Sequence, residues 1–134
     1  MFNKVFGEVT FDCSWETKTE IVLWGKTYSI TVAARSYYEK DGITAEQESS
    51  YLLYKNEKSE KRIVIETLLS QYFNNSLDHK QLSKQLTPTI LGFRSNGDCA
   101  LMFDDAEDPD NGIAVLLYPK EDVMTQDDYL MSRI

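Results

Sequence analysis

A chain of 134 residues with 42% apolar and 12% aromatic content can bury one self-supporting core, which excludes a disordered, fibrous or disulfide-stapled polypeptide. Its formal charge of −8 argues against nucleic acid and suits a basic protein partner. No stretch approaches the ~18 apolar residues of a membrane span, and Met1-Phe-Asn-Lys lacks the apolar run of a secretory signal, so a cytoplasmic protein without a membrane partner is expected.

Residues 5–15 alternate, with Val5, Gly7, Val9, Phe11, Cys13 and Trp15 on one side, which predicts a half-buried strand. Glu16–Thr19 reads as a polar turn, Glu20–Trp24 as a second strand, and Gly25-Lys26 as a two-residue hairpin connection. Thr27–Arg35 alternates again, with Tyr28, Ile30, Val32 and Ala34 sharing a face.

Asp41-Gly42 interrupts the strands, and Thr44 with Gln47 has capping-box spacing, opening a helix over roughly 45–55. After a polar break at Asn56–Lys61, a helix over about 59–74 presents Ile63, Ile65 or Glu66, Leu69, Tyr72 and Phe73. Asp78 can cap a short helix at 79–86, which Pro88 prevents from continuing. Thr89–Arg94 and Asp98–Phe103 flank the hairpin signal Asn96-Gly97. Ile113–Tyr118 is apolar throughout, the pattern of a strand covered on both faces. Pro119 ends it, and Thr125 caps a last turn anchored by Tyr129 and Leu130.

The charge is distributed unevenly. Residues 104–128 hold nine acids and one base, Lys120, which accounts for the whole net charge, while the thirteen acids and thirteen bases elsewhere cancel. Closely spaced carboxylates repel, and that concentration speeds encounter with a cationic partner. The expected partner-binding residues are Asp104, Asp105, Glu107, Asp108, Asp110, Glu121 and Asp122.

Catalytic signals are scarce. His79, the sole histidine, sits in a polar helix start, and no Gly-x-Ser-x-Gly elbow or glycine-rich phosphate loop occurs. Cys13 and Cys99 both fall at strand-periodic positions and read as buried free thiols. Placing Gly112 as the sixth residue of an EF-hand loop puts Pro109 at a ligand position, so that signature fails. An irregular divalent site from Asp104, Asp105, Asp108 and Asp110 is an alternative, as is a small-ligand pocket built on Tyr37, Tyr38, Tyr51 and Tyr54. No enzyme activity, cofactor or metal is expected.

Several stretches carry a family likeness. Leu86-Thr-Pro, Asn96-Gly-Asp, FDDAEDPDNGIAV and TQDDYL, with the Trp24-Gly25 hairpin and the Thr44-Ala-Glu-Gln47 helix start, span most of the chain. Together they resemble a family of small bacterial cytosolic α+β domains of unknown function, some of the immunity type that neutralises toxins. Asn111-Gly112 stands where that family tends to carry His-Gly. The resemblance implies a non-catalytic domain that inhibits a cognate, basic toxin through its acidic surface. The expected fold is a single α+β domain over residues 1–134: a mostly antiparallel sheet from two three-strand meanders, with two or three helices inserted between them and packed on one face.

Overall fold

The computed structural model describes residues 1–132. Its fold is α+β, with one large, mostly antiparallel sheet. Short strands β1 (Phe2–Asn3) and β2 (Gly7–Glu8) pair with each other. The large sheet comprises β3 (Thr10–Phe11), β4 (Ser14–Leu23), β5 (Lys26–Arg35), β6 (Leu86–Phe93), β7 (Cys99–Asp105), β8 (Ile113–Tyr118) and β9 (Asp122–Thr125), adjacent in that order. Every neighbouring pair is antiparallel except β5 and β6. A parallel pair cannot be closed by a tight turn. Here the connection is a 3-10 turn (Glu39–Asp41) followed by α1 (Ala45–Asn56), α2 (Lys58–Tyr72) and α3 (His79–Gln85). A last helix, α4 (Gln126–Met131), follows β9.

Two helix starts follow directly from local chemistry. Thr44 and Gln47 form a reciprocal capping box on α1, and Asp78 and Gln81 form another on α3. The expected break after α1 shrinks to Glu57 alone, so α1 and α2 follow almost without interruption.

Strand alternation sorts the core into two layers. On β7 and β8 the side chains of Leu101, Phe103, Val115 and Leu117 join the large core shared with Tyr54, Ile65, Leu69 and Leu82 of α1–α3. The intervening Ala100, Met102, Ala114 and Leu116 form a second cluster with Tyr129 of α4. Apolar residues on both faces of Ile113–Tyr118 are thus explained by cover on both sides. The three inserted helices share one face, as expected from sequence; α4, which follows the last strand, packs on the back.

Other boundaries also moved. Residues 5–15 are not one strand. The Asn3 carboxamide oxygen accepts from the amides of Val5 and Phe6 at 2.8 and 2.9 Å, bending the chain. Phe6 then docks against Tyr51 at 4.7 Å, so Val5, Phe6 and Val9 are all buried despite their alternating positions. Cys13 takes a left-handed φ of 63° in the β3–β4 turn, which leaves its thiol exposed; only Cys99 is buried. Glu16–Thr19 is not a turn but part of the ten-residue β4. The β4–β5 turn is Trp24-Gly25, one residue earlier than expected; both have positive φ, 52° and 76°, as a tight two-residue hairpin demands. β6 starts at Leu86, and a bulge between Pro88 and Ile90 accommodates the proline. The short strand β9 turns the C-terminal meander into four strands. Leu130, expected to anchor the tail, is exposed, leaving that role to Tyr129.

Candidate functional site, an acidic pole of the sheet

Strand pairing determines which acids meet. Phe103 pairs with Ile113, and Ile113 with Thr125, so the β7–β8 loop and the start of α4 lie at one end of the sheet. The turn between β8 and β9 lies at the other end, roughly 17 Å away along the six-residue β8. The seven sequence-expected binding residues therefore do not form one patch. Asp104, Asp105, Glu107, Asp108 and Asp110 share the first pole, while Glu121 and Asp122 sit at the second.

Within the loop the carboxylates have different jobs. Asp105 is buried, and its Oδ1 accepts from Gln85 Nε2 and from the Glu107 amide, both at 2.9 Å. The Ala106 amide donates to the Gln85 carbonyl at 2.9 Å, fastening the loop to the end of α3. Asp108 is half-buried; both its carboxylate oxygens accept from Asn111 Nδ2 at 3.1 Å, and its carbonyl accepts from the Gly112 amide at 3.0 Å. Asp105 and Asp108 are thus internal braces. They hold Asp104, Glu107 and Asp110 outward, where all three are exposed.

The loop is tied to α4 as well. Gln126 Nε2 donates to the Phe103 carbonyl at 2.6 Å, and the Gln126 amide to the Gly112 carbonyl at 3.4 Å. Gly112 must be glycine here: its φ is +62°, and a Cβ would lie 2.7 Å from the Phe103 carbonyl oxygen. This linkage brings two further exposed acids, Asp127 and Asp128, to the same pole. Both belong to the acidic quarter of the sequence but not to the expected site, because their neighbours depend on the pairing of β8 with β9. Trp24, half-buried in the β4–β5 turn, also belongs to this end, with its ring 6.2 Å from Phe103.

Among the described residues, none of Asp104, Glu107, Asp108, Asp110, Asp127 or Asp128 is in an ion pair. Glu121 is different. It meets Lys61 Nζ at 2.8 Å, and that ammonium also lies 4.5 Å over the Tyr118 ring. Tyr118 donates to Glu57 Oε1 at 2.8 Å, and burial, then the Glu57 hydrogen bond and charge, push its phenol well above the ordinary range. Asp122 accepts from the neighbouring Val123 amide.

The other chemical candidates are separated. His79 is exposed at the start of α3, and burial raises the Cys99 thiol far above its usual pKa. Of the tyrosines considered as a ligand pocket, Tyr51 and Tyr54 are core residues, whereas Tyr37 and Tyr38 are exposed beyond the far end of β5. Among the described residues, no three His, Cys, Asp or Glu side chains converge as metal ligands would, and no helix is long and apolar enough to cross a membrane. Comparison with protein-family models, with curated proteins and with solved structures returned no match.

Proposed function

We propose that this chain is a non-catalytic, cytoplasmic protein-binding domain of the immunity type, which neutralises a basic toxin domain by covering it with the acidic pole. The observation that carries this reading is the gathering of exposed Asp104, Glu107, Asp110, Asp127 and Asp128 around a braced loop, without an intramolecular ion pair among the described residues. Unpaired, outward carboxylates on a fixed frame give a directed negative potential at little reorganisation cost, which accelerates encounter with a cationic surface. Trp24, half-buried at the same end of the sheet, supplies an aromatic surface of the kind that anchors interfaces. The likeness to immunity-type domains points the same way. Asp105, Asp108, Glu121 and Asp122 are left out of the docking set, since the first two brace the loop and the other two lie at the opposite pole.

The test is to express the domain with the product of the gene directly upstream and follow their association. A salt-sensitive complex that abolishes the upstream protein's toxicity supports the reading. A toxic upstream product that the domain neither binds nor neutralises refutes it.

A further inference from the structure

Strand β4 has an open side. Its ten residues pair with β5 along their whole length, but on the other side β3 covers only Trp15 and Glu16. The Trp24-Gly25 turn makes Leu23 and Lys26 the closing hydrogen-bonded pair of the hairpin, so the odd-numbered residues of β4 bond to β5. Lys18, Glu20 and Val22 then direct their backbone N–H and C=O groups away from the sheet. The pairing of Glu16 with Thr10 obeys the same phase, and so does the Glu20 carbonyl, which accepts from Lys58 Nζ at 3.1 Å. All three residues are exposed, and neither a proline nor a bulge interrupts the strand, so the edge stays open to a further strand over residues 17–23.

The edge runs beside a basic groove. About 240 Å³ of space lies between Ile21 and Val22 of β4, Tyr54 of α1, and Lys58, Ser59 and Arg62 of α2, and no acid lines it. Lys58 and Arg62 are one helical turn apart, about 6 Å along the axis. Arg62 keeps 42% of its side chain exposed although it meets Glu66 at 3.5 Å. Self-pairing does not suit this edge. The antiparallel register that sets Lys18 against Glu20 of a second copy also sets Val22 against Glu16, where Thr10 is already bonded. The charge complement of the groove is an acidic strand.

We propose that β4 accepts an extended acidic peptide as an eighth, antiparallel strand of the large sheet, laid between the open edge and α2. The peptide backbone bonds to Lys18, Glu20 and Val22, and the pockets beside the edge select its side chains. One peptide N–H replaces Lys58 Nζ at the Glu20 carbonyl, and the freed ammonium joins Arg62 in holding a carboxylate. Alternate side chains of a strand face one way, so the bound sequence has an apolar residue on Ile21 and Tyr54 and an acid two positions away. The edge lies on the side of the sheet away from β9 and shares no residue with the acidic loop, so this inference and the toxin-binding reading stand or fall separately.

The probe is the acetylated, amidated heptapeptide Ser-Val-Thr-Ile-Thr-Glu-Ser, titrated at millimolar concentration while backbone amide NMR signals are followed. It should shift residues 17–23 saturably and slow hydrogen exchange of the Lys18, Glu20 and Val22 amides several-fold. Replacing the peptide's glutamate by lysine should weaken binding about tenfold or more, because the groove is basic. N-methylating its two threonines, whose N–H groups face β4, should weaken it as much, because the ladder bonds are lost. Arg62→Gln in the protein should weaken it several-fold. Equal binding of either altered peptide, full affinity in the variant, shifts confined to residues 104–112, or no saturable shift would each overturn the proposal. So would concentration-dependent shifts at residues 17–23 without peptide, the mark of a second copy on this edge.

Discussion

The side-chain amide of Gln47 donates to the Phe93 carbonyl at 3.0 Å across the base of α1. The same nitrogen donates to the Arg35 carbonyl at 2.8 Å, so one fully buried side chain binds the last residues of β5 and β6 where those strands run parallel. Its Oε1 accepts from the Thr44 amide at 2.9 Å, completing the capping box. The crossover helix is thereby locked onto the two strands it connects. Gln47→Ala would orphan two carbonyls and an amide and leave a cavity, costing about 3 kcal/mol. A denaturant melt should show the midpoint falling with an unchanged slope.

Gly112→Ala tests how the acidic loop is held. The added Cβ would meet Gln126 Nε2 at 2.6 Å in a backbone conformation that disfavours L side chains. Destabilisation of about 2 kcal/mol or more is expected. Gln126→Ala should be milder for stability but should speed amide hydrogen exchange in residues 104–112.

A cation also fastens α4 to the sheet. The Arg94 guanidinium stacks 3.9 Å from the Tyr129 ring centroid, and its Nη2 donates to the Tyr129 carbonyl and to Ser132 Oγ. Arg94→Lys keeps the charge but loses the planar stack and the forked donors. Early exchange of the α4 amides, with the core strands still protected, is the expected result.

The two thiols should differ sharply in reactivity. Cys13 should be alkylated in the native protein, and Cys99 only after unfolding. Alkaline stability follows from the same burial. A free thiol ionises near 9.0, whereas burial keeps Cys99 protonated well above that, so from about pH 9 the unfolded chain sheds a proton that the folded chain retains. This contribution is whole below pH 9.0 and diminishes as pH climbs beyond it; Tyr54 and Tyr118, also raised by burial, add to the loss above the ordinary phenol value of 10.0. Melting temperature measured against pH should decline from about pH 9 upward, and Cys99→Ala should decline less steeply between 9 and 10 despite a lower starting point.

Local chemistry made part of this molecule legible in advance. The Thr44 and Asp78 caps are spelled within four residues each, and the doubly covered strand Ile113–Tyr118 announces itself by having no polar face. Alternation misled at Val5–Trp15, where the Asn3 side chain bends the backbone and Phe6 finds the aromatic core. β9 was hidden because Asp122–Thr125 is short and barely apolar, and gains its strand character only by pairing with β8. The acidic quarter was visible as composition. Its division between two poles was not, since that follows from the β7–β8–β9 register, and neither was the inward turn of Asp105 toward Gln85.

In the docking proposed here, the outward carboxylates of the β7–β8 loop steer a basic protein onto this pole. Its most direct measurement is the association rate with the upstream gene's product, comparing a Glu107→Lys and Asp110→Lys double variant with a Glu121→Lys and Asp122→Lys double variant. The first should slow association by about tenfold or more at low salt, with a weaker salt dependence, while the second should have little effect. Equal rates for both variants and the unaltered domain would contradict it.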